Sequence, residues 1–283
     1  MTAPILLCTD LDRTLLPNGP QPESPGVREA FARLVAREEV SLAYVSGRKA
    51  ALIAEAIAAF DIPQPDFAVA DVGTSIYRIA GGEWHPWQDW SDRLARVWAG
   101  RTSGDLAPLL TDLPGLRFQP MEYQNTFKLS FYGSPDIDAP PLLDIVRDRL
   151  APHGIRASLV WSVDEVANLG FLDVLPRGST KLGAVRFLRD QLGFAPENVL
   201  FAGDSGNDLE VLTSEVQAVL VANAREEVRR QALAEATAAG HRERLYLARG
   251  GFRGLNGNYA AGILEGLAHF IPQAVEWTVG AEP

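Results

Sequence analysis

Two acid-rich segments have the residue types and spacing to act on a charged substrate: Asp10-Leu11-Asp12-Arg13-Thr14 and Gly203-Asp204-Ser205-Gly206-Asn207-Asp208. In extended backbone an i, i+2 pair directs both carboxylates to one side, so Asp10 and Asp12 face one site while Leu11 points away. Alone, such a pair is equally compatible with a solvated loop. The second segment decides between these, because it adds two acids after another apolar run. Oxygen-rich groups of this kind suit Mg2+, which takes a few carboxylates together with waters and substrate phosphate oxygens. Between the two segments lie Ser46-Gly47-Arg48 and Lys181. A hydroxyl and backbone N–H groups at a strand-to-helix turn cradle an anion, and a lysine adds fixed positive charge. Together the four segments describe a phosphate site.

Such residues need a scaffold that brings strand ends together. Residues 5–8 are short and uninterruptedly apolar, as in a strand buried on both faces of a parallel sheet. Ser24-Pro25 reads as an N-cap and first helical residue, with Val27, Phe31, Leu34 and Val35 following at helical spacing. Strands are expected at 40–45 and 67–72 with a helix at 50–60 between them. This alternation predicts an α/β fold with a doubly wound, mainly parallel sheet, whose ligand lies beyond the carboxyl ends of the strands. Asp10, Ser46 and Asp71 all fall at such ends.

The rhythm changes after Gly81-Gly82. Trp84, Trp87, Trp90 and Trp98 cluster there, and residues 126–132 and 169–175 read as antiparallel strands. The α/β pattern returns with a helix at 181–192 and a strand at 199–202. The expected organisation is a core of residues 1–81 and 175–283 with an inserted α+β cap at 82–174, hinged at Gly81-Gly82 and Pro176-Arg177-Gly178. The Trp cluster is compatible with a sugar platform, but packing of a small domain is the expected role.

Composition narrows the partners. At 283 residues the chain exceeds the ~100–150 typical of one domain, consistent with two units. A formal charge of -10 without a basic stripe argues against nucleic acid and anionic membranes. No apolar run approaches the ~20 residues of a membrane span, and no basic-then-apolar leader opens the chain. With Cys8 as its single cysteine the chain has no disulfide framework, and a cytoplasmic location is expected. The four histidines lack H-x-x-x-H spacing, which argues against zinc. A serine hydrolase, suggested by Gly203-Asp204-Ser205-Gly206, lacks a histidine in a partner context. A glycosidase pair leaves the lysine and serine without purpose.

The four segments, in this order and at these strand ends, resemble the signature motifs of the haloacid-dehalogenase phosphatases. The inserted cap resembles that of their sugar-phosphatase branch. Asp71-Val72-Gly73-Thr74-Ser75-Ile76-Tyr77, Phe127-Lys128-Leu129-Ser130-Phe131, Leu172-Asp173-Val174-Leu175-Pro176 and the stretch from Asn258 to Phe270 are similar to the sucrose-phosphate phosphatases. The resemblance implies Mg2+-dependent hydrolysis of a phosphorylated sugar through an aspartyl phosphate. Asp10 is then the nucleophile and Asp12 the general acid and base. Mg2+ is held by the Asp10 side chain, the Asp12 carbonyl and Asp204, with Asp208 behind them to orient Lys181 or a coordinated water. Ser46, Gly47, Lys181 and Asn207 grip the phosphoryl oxygens. Candidate substrate contacts are Arg48, Gly73, Thr74, Gln124, Asn125 and Lys128.

Two places depart from the common pattern. Arg13 stands where a small polar residue often follows the acid pair, and Asn168-Leu169-Gly170-Phe171 replaces a glycine-rich stretch of the plant enzymes. The second keeps monosaccharide phosphates and phosphoglycerate conjugates open as substrates of a broad-specificity enzyme. A non-catalytic sugar-phosphate sensor would be expected to have lost Asp10 or Asp12, and both are present. A monomer or dimer is expected.

Overall fold

The computed structural model describes residues 4–164 and 167–278. The outermost residues of the expected core, 1–3 and 279–283, and residues 165 and 166 of the expected cap lie outside these. The elements run β1 (Ile5–Thr9), α1 (Val27–Val35), β2 (Val40–Val45), α2 (Ala50–Phe60), β3 (Phe67–Ala70), β4 (Ser75–Ala80), β5 (Glu83–Pro86) and α3 (Gln88–Val97). There follow α4 (Ser103–Leu106), β6 (Arg117–Phe118), β7 (Leu129–Gly133), α5 (Ala139–Leu150), β8 (Ala157–Asp164) and β9 (Leu169–Pro176). The chain closes with α6 (Lys181–Leu192), β10 (Val199–Gly203), α7 (Leu209–Leu212), β11 (Gln217–Leu220), α8 (Glu226–Ala238), β12 (Leu245–Leu247) and α9 (Ala260–Phe270).

The fold is α/β, with a large sheet ordered β12-β11-β10-β1-β2-β3-β4-β5. The strands from β12 to β3 are parallel, and β4 and β5 complete the edge as an antiparallel hairpin. Every residue of β1 is buried. Ile5 and Leu7 enter one core with α1, α2 and α9, whereas Leu6 and Cys8 enter the other with α6, α7 and α8. This period-2 division across a sheet covered on both faces is why the first strand is apolar without interruption. From β1 the chain builds outward through β2 and β3 on one side, and β10, β11 and β12 lie on the other. The direction therefore reverses between β1 and β10, the kind of point at which α/β sheets open a crevice.

The second sheet is antiparallel, ordered β6-β7-β9-β8. One face packs Leu129, Phe131, Leu172 and Val174 against Leu142, Val146 and Leu150 of α5 and against Leu106, Leu110 and Leu113. Among the described residues, no helix is long and apolar enough to cross a membrane.

Three sequence expectations are corrected. Gly81 and Gly82 are the tip of the β4–β5 hairpin, with φ of 59° and 83°. Two consecutive positive φ values are the demand of a tight hairpin turn, so the glycines serve a turn rather than a hinge. Beyond it, Trp90 and Leu94 of α3 pack into the core beside Phe187 of α6. The stretch 82–97 thus sides with the large sheet, and at the other end β9 runs on to Pro176. Helix α1 begins at Val27 rather than after Ser24, because Gly26 has φ 72° and interrupts the turn. Strand β3 stops at Ala70, since Asp71, Val72 and Gly73 all have positive φ. Of the tryptophans, Trp90 and Trp98 are buried and Trp84 and Trp87 pack against the cores.

Candidate active site

Side chains from the carboxyl ends of adjacent parallel strands meet at the reversal point. Asp10 follows β1 directly, its N–H donating to the Ala202 carbonyl of β10 at 2.9 Å. Asp204 follows β10, Ser46 follows β2, and Lys181 opens α6 behind its N-cap, Thr180. The Lys181 ammonium lies 3.1 Å from Asp10 Oδ2 and donates to Asp208 Oδ1 at 2.7 Å and to Asn207 Oδ1 at 2.9 Å. Both Oδ atoms of Asp208 are engaged, since Oδ2 accepts from the Asp204 and Ser205 N–H groups at 3.1 Å. That reciprocal cap holds the turn and aims Asp208 at Lys181. The Asn207 carboxamide oxygen accepts from Lys181 and from the Ser205 hydroxyl, which orients its NH2 group as a donor.

Asp10, Asp204 and Asp208 can bring one carboxylate oxygen each to within 4.8 Å of one another, and all three are buried. Burial raises the Asp10 carboxyl well above the ordinary range. Lys181 opposes the rise, and Asp208, Asp204 and Asp12 add to it by repulsion. Asp204 is pushed up to about 7 by burial and by Asp208, against the pull of Arg13 and Lys181. Burial works against the charge of Lys181, but Asp10 and Asp208 outweigh it and hold the ammonium protonated. Three buried acids share one lysine, and burial and mutual repulsion favour protons on Asp10 and Asp204. A cation would displace those protons, and the donors around it are all hard oxygens. Unmet demand for positive charge and donor set together fit a small divalent cation such as Mg2+.

Asp12 stands at the mouth. Arg48 grips it with two bonds, Nε to Oδ2 and a terminal nitrogen to Oδ1, both 2.7 Å, and Asn18 Nδ2 donates to Oδ1 at 2.7 Å. Burial alone would raise this carboxyl, but the Arg48 bonds and charge, with Asn18, bring it below its usual value. The buried Ser46 hydroxyl accepts from the Arg48 N–H at 3.2 Å, and Gly47 between them is exposed. Arg13, at φ 59°, places Nε 3.7 Å from Asp204 Oδ2.

Of the expected substrate contacts, four are structural here. Gly73 presses against the start of α6, where a Cβ would lie 2.5 Å from the Thr180 carbonyl carbon, and its own carbonyl accepts from Trp90 Nε1 at 3.0 Å. Thr74 is buried, donates to the Asp71 carbonyl and accepts from Asn125 Nδ2 at 2.9 Å, a bond that ties the two sheets' units together. Gln124 uses its carboxamide on backbone alone, donating to the Gln119 and Ser130 carbonyls and accepting from the Ser130 N–H. The polar residues of this loop brace it rather than reach outward. Lys128 differs. It is buried, donates to the Tyr123 carbonyl at 3.1 Å, and acts electrostatically on both Asp71 and Asp173.

Sequence reasoning gave no role to Asp173, which it named only within a motif, and missed Asn18 and a cleft of about 360 Å3 between the two units. Arg147 of α5 and Ser158 and Trp161 of β8 line it from one side, with Lys181, Asn207 and Glu210 from the core. Trp161 owes its position to Gly133 and Gly170, cross-strand partners whose added Cβ atoms would fall 3.0 and 2.5 Å from its ring. A tryptophan among small residues in a strand was the available signal.

With this geometry, comparisons with known proteins acquire meaning. Residues 3–271 match the family described as sucrose-6F-phosphate phosphohydrolase. A protein of Nitrosococcus oceani described no further than as a HAD-like hydrolase is 53% identical over 98% of this chain and 74% of its own length. The mannosylfructose-phosphate phosphatase of Agrobacterium fabrum is 27% identical over 94% of this chain and 96% of its own. The chain spans about half the length of the plant sucrose-phosphatases it matches. The structure of the sucrose-phosphatase of Synechocystis sp. PCC6803 in complex with sucrose and phosphate superposes with a TM-score of 0.74 at 26% identity, covering 95% of this chain and 98% of that one. The chain belongs to the sucrose-6F-phosphate phosphohydrolase family, within the haloacid-dehalogenase superfamily of phosphatases.

Proposed function

We propose that this protein hydrolyses the phosphate monoester of a sugar, a disaccharide phosphate of the sucrose 6-phosphate kind foremost, through an aspartyl phosphate on Asp10. The observation that carries the reading is the buried Asp10–Lys181–Asp208 array at the reversal point of the sheet, beside Asp204. An anionic nucleophile meets a phosphate dianion with a repulsion of about 4 kcal/mol per pair of unit charges at 4 Å and an effective dielectric of ~20. Lys181 offsets part of this, and Ser46, the Gly47 N–H and the Asn207 amide bind the equatorial oxygens. Mg2+, held by the Asp10 side chain, the Asp12 carbonyl and Asp204, supplies the remaining positive charge.

In the first displacement Asp10 Oδ attacks phosphorus and the sugar oxygen leaves with a proton from Asp12. In the second, Asp12 takes a proton from the water that opens the acyl phosphate. Arg48 keeps Asp12 ionised in the resting site, so Arg48 must release it and Asp12 must take up a proton from solvent as the substrate enters, before the sugar oxygen leaves. The unit carrying the second sheet acts as the cap, and the cleft by Trp161 receives the sugar. A cytoplasmic site of action fits a soluble phosphorylated substrate.

The test is phosphate release from a panel of mono- and disaccharide phosphates, with Mg2+ or with EDTA, alongside Asp10→Asn. The expected result is Mg2+-dependent release that is best on a disaccharide phosphate and falls to background in the variant. Comparable turnover of many monosaccharide phosphates would replace the narrow substrate with the broad one. Release that survives EDTA or Asp10→Asn refutes the mechanism.

A further inference from the structure

The backbone of Arg13 is held from both sides by carboxamide side chains. Its N–H donates to Asn18 Oδ1 at 2.8 Å, and its carbonyl accepts from Asn223 Nδ2 at 2.6 Å. Arg13 has φ 59°, a region that a residue with a Cβ occupies only at an energetic cost. Asn223 is buried, and its Oδ1 accepts from the N–H of Tyr259 at 2.8 Å. Tyr259 is itself a non-glycine residue at φ 51°, and it caps the start of α9. One buried carboxamide thus joins two strained residues that lie 246 positions apart in the chain. The neighbouring segment is stitched to the same loop, with Asn256 and Asn258 Nδ2 both donating to the Pro22 carbonyl and the Tyr259 hydroxyl donating to that of Gln21.

From this arrangement we infer that Asn223, with Asn18, is a positioning residue for the reaction: the pair locks Arg13 in its left-handed conformation and thereby sets the direction of the Asp12–Arg13 peptide. The inference rests on the proposed function, in which the Asp12 carbonyl is a Mg2+ ligand. The peptide that carries this carbonyl ends at the Arg13 nitrogen, so rotation at Arg13 swings it away from Asp10 and Asp204. Asn18 has a second task. Its Nδ2 donates to Asp12 Oδ1 while its Oδ1 holds the Arg13 N–H, so one side chain fixes both the carboxylate and the backbone beside it. Asn223 bonds Arg13 and Tyr259 rather than Asp10 or Asp12, so its effect on the acid pair runs through Arg13.

The experiment compares the full chain with Asn223→Asp, which keeps the acceptor for Tyr259 and deletes the donor to Arg13, and with Asn223→Ala and Asn18→Ala. Each is made in the wild-type background and in Arg13→Gly, because glycine adopts positive φ without a Cβ penalty. Mg2+ affinity is read by titration calorimetry, kcat and KM by phosphate release, and folding by thermal unfolding without metal. Loss of a group that orients a metal ligand typically costs about 10- to 100-fold in metal affinity or activity.

The expected result is a loss of that size in Mg2+ affinity and kcat, with KM little changed, that shrinks when measured relative to the Arg13→Gly single variant. Wild-type Mg2+ affinity and kcat in all three variants overturn the inference. Equal losses in both backgrounds also overturn it, since Asn223 would then act through Tyr259 or the fold at large. Asn18→Ala, at an exposed position, keeps the test available if the buried substitutions do not fold. A wild-type chain that neither binds Mg2+ nor releases phosphate refutes the proposed function instead.

Discussion

The two sheets place polar groups differently. The large parallel sheet is apolar on both faces and gathers its polar groups beyond one end, where Asp10, Ser46, Asp71 and Asp204 follow β1, β2, β3 and β10. The small antiparallel sheet keeps one face apolar and carries polar groups on the other. Ser130 and Asp173 are cross-strand partners there, joined by a hydrogen bond and buried. A site at strand ends is dictated by topology and tolerates little variation. A site on a sheet face depends on which side chains happen to stand there, and substrate preference is the property that such a face can vary.

This contrast predicts effects of different kind and size in the two regions. The largest is expected from Lys181→Ala, which leaves Asp10 and Asp208 buried without their counter-charge. Removing one partner of a buried ion pair costs about 3–5 kcal/mol, so denaturant unfolding should show a loss of that order together with lost activity. An unchanged unfolding midpoint would show that the acids there are already neutral. Next comes Asp12→Asn, expected to lower kcat by roughly 10²- to 10⁴-fold with KM little altered. Here the fold should be undisturbed, because Asp12 is partly exposed.

At the edge of the small sheet Trp161 packs on the apolar face and also lines the cleft, and Gly170→Ala forces its ring out of its trough. A several-fold rise in KM for a sugar phosphate, with little change for a small aryl phosphate, would sharpen the division of labour. A fall in kcat on both substrates would break it.

A further effect concerns pH. Asp204 titrates near 7 in the folded chain, against about 3.9 when unfolded. The folded state therefore binds the proton more tightly, and the metal-free protein loses stability as pH rises from about 4 to about 7. Asp10 is shifted in the same direction. Asp204→Asn should flatten this slope, worth roughly a few degrees in Tm. A slope that persists would assign the titration to Asp10.

The legibility of the sequence follows the same contrast. β1, β2, α2 and α6 were readable because apolar runs and helical periodicity are local patterns, and the acids that follow β1 and β10 inherit their position from them. Gly81-Gly82 reads as a hinge and not as the tip of a hairpin, since a hinge and a tight turn ask for the same residues. Gln124 reads as a substrate contact because nothing in its neighbourhood announces that the chain curls back on Gln119 and Ser130. Asn223 was invisible for a stronger reason: its partners, Arg13 and Tyr259, reach it only through the completed sheet.

Cys8, the single cysteine of the chain, sits two residues before Asp10 in the central strand with no exposure to solvent. Burial also raises its thiol well above the ordinary range, so it is unreactive where it lies. A sulfhydryl reagent can reach it only when β1 leaves the sheet, and the labelling rate then times the opening of the strand that carries Asp10. The protein has a built-in clock with one hand, and any ligand that binds only the closed form, metal or phosphate alike, slows it in proportion to its occupancy.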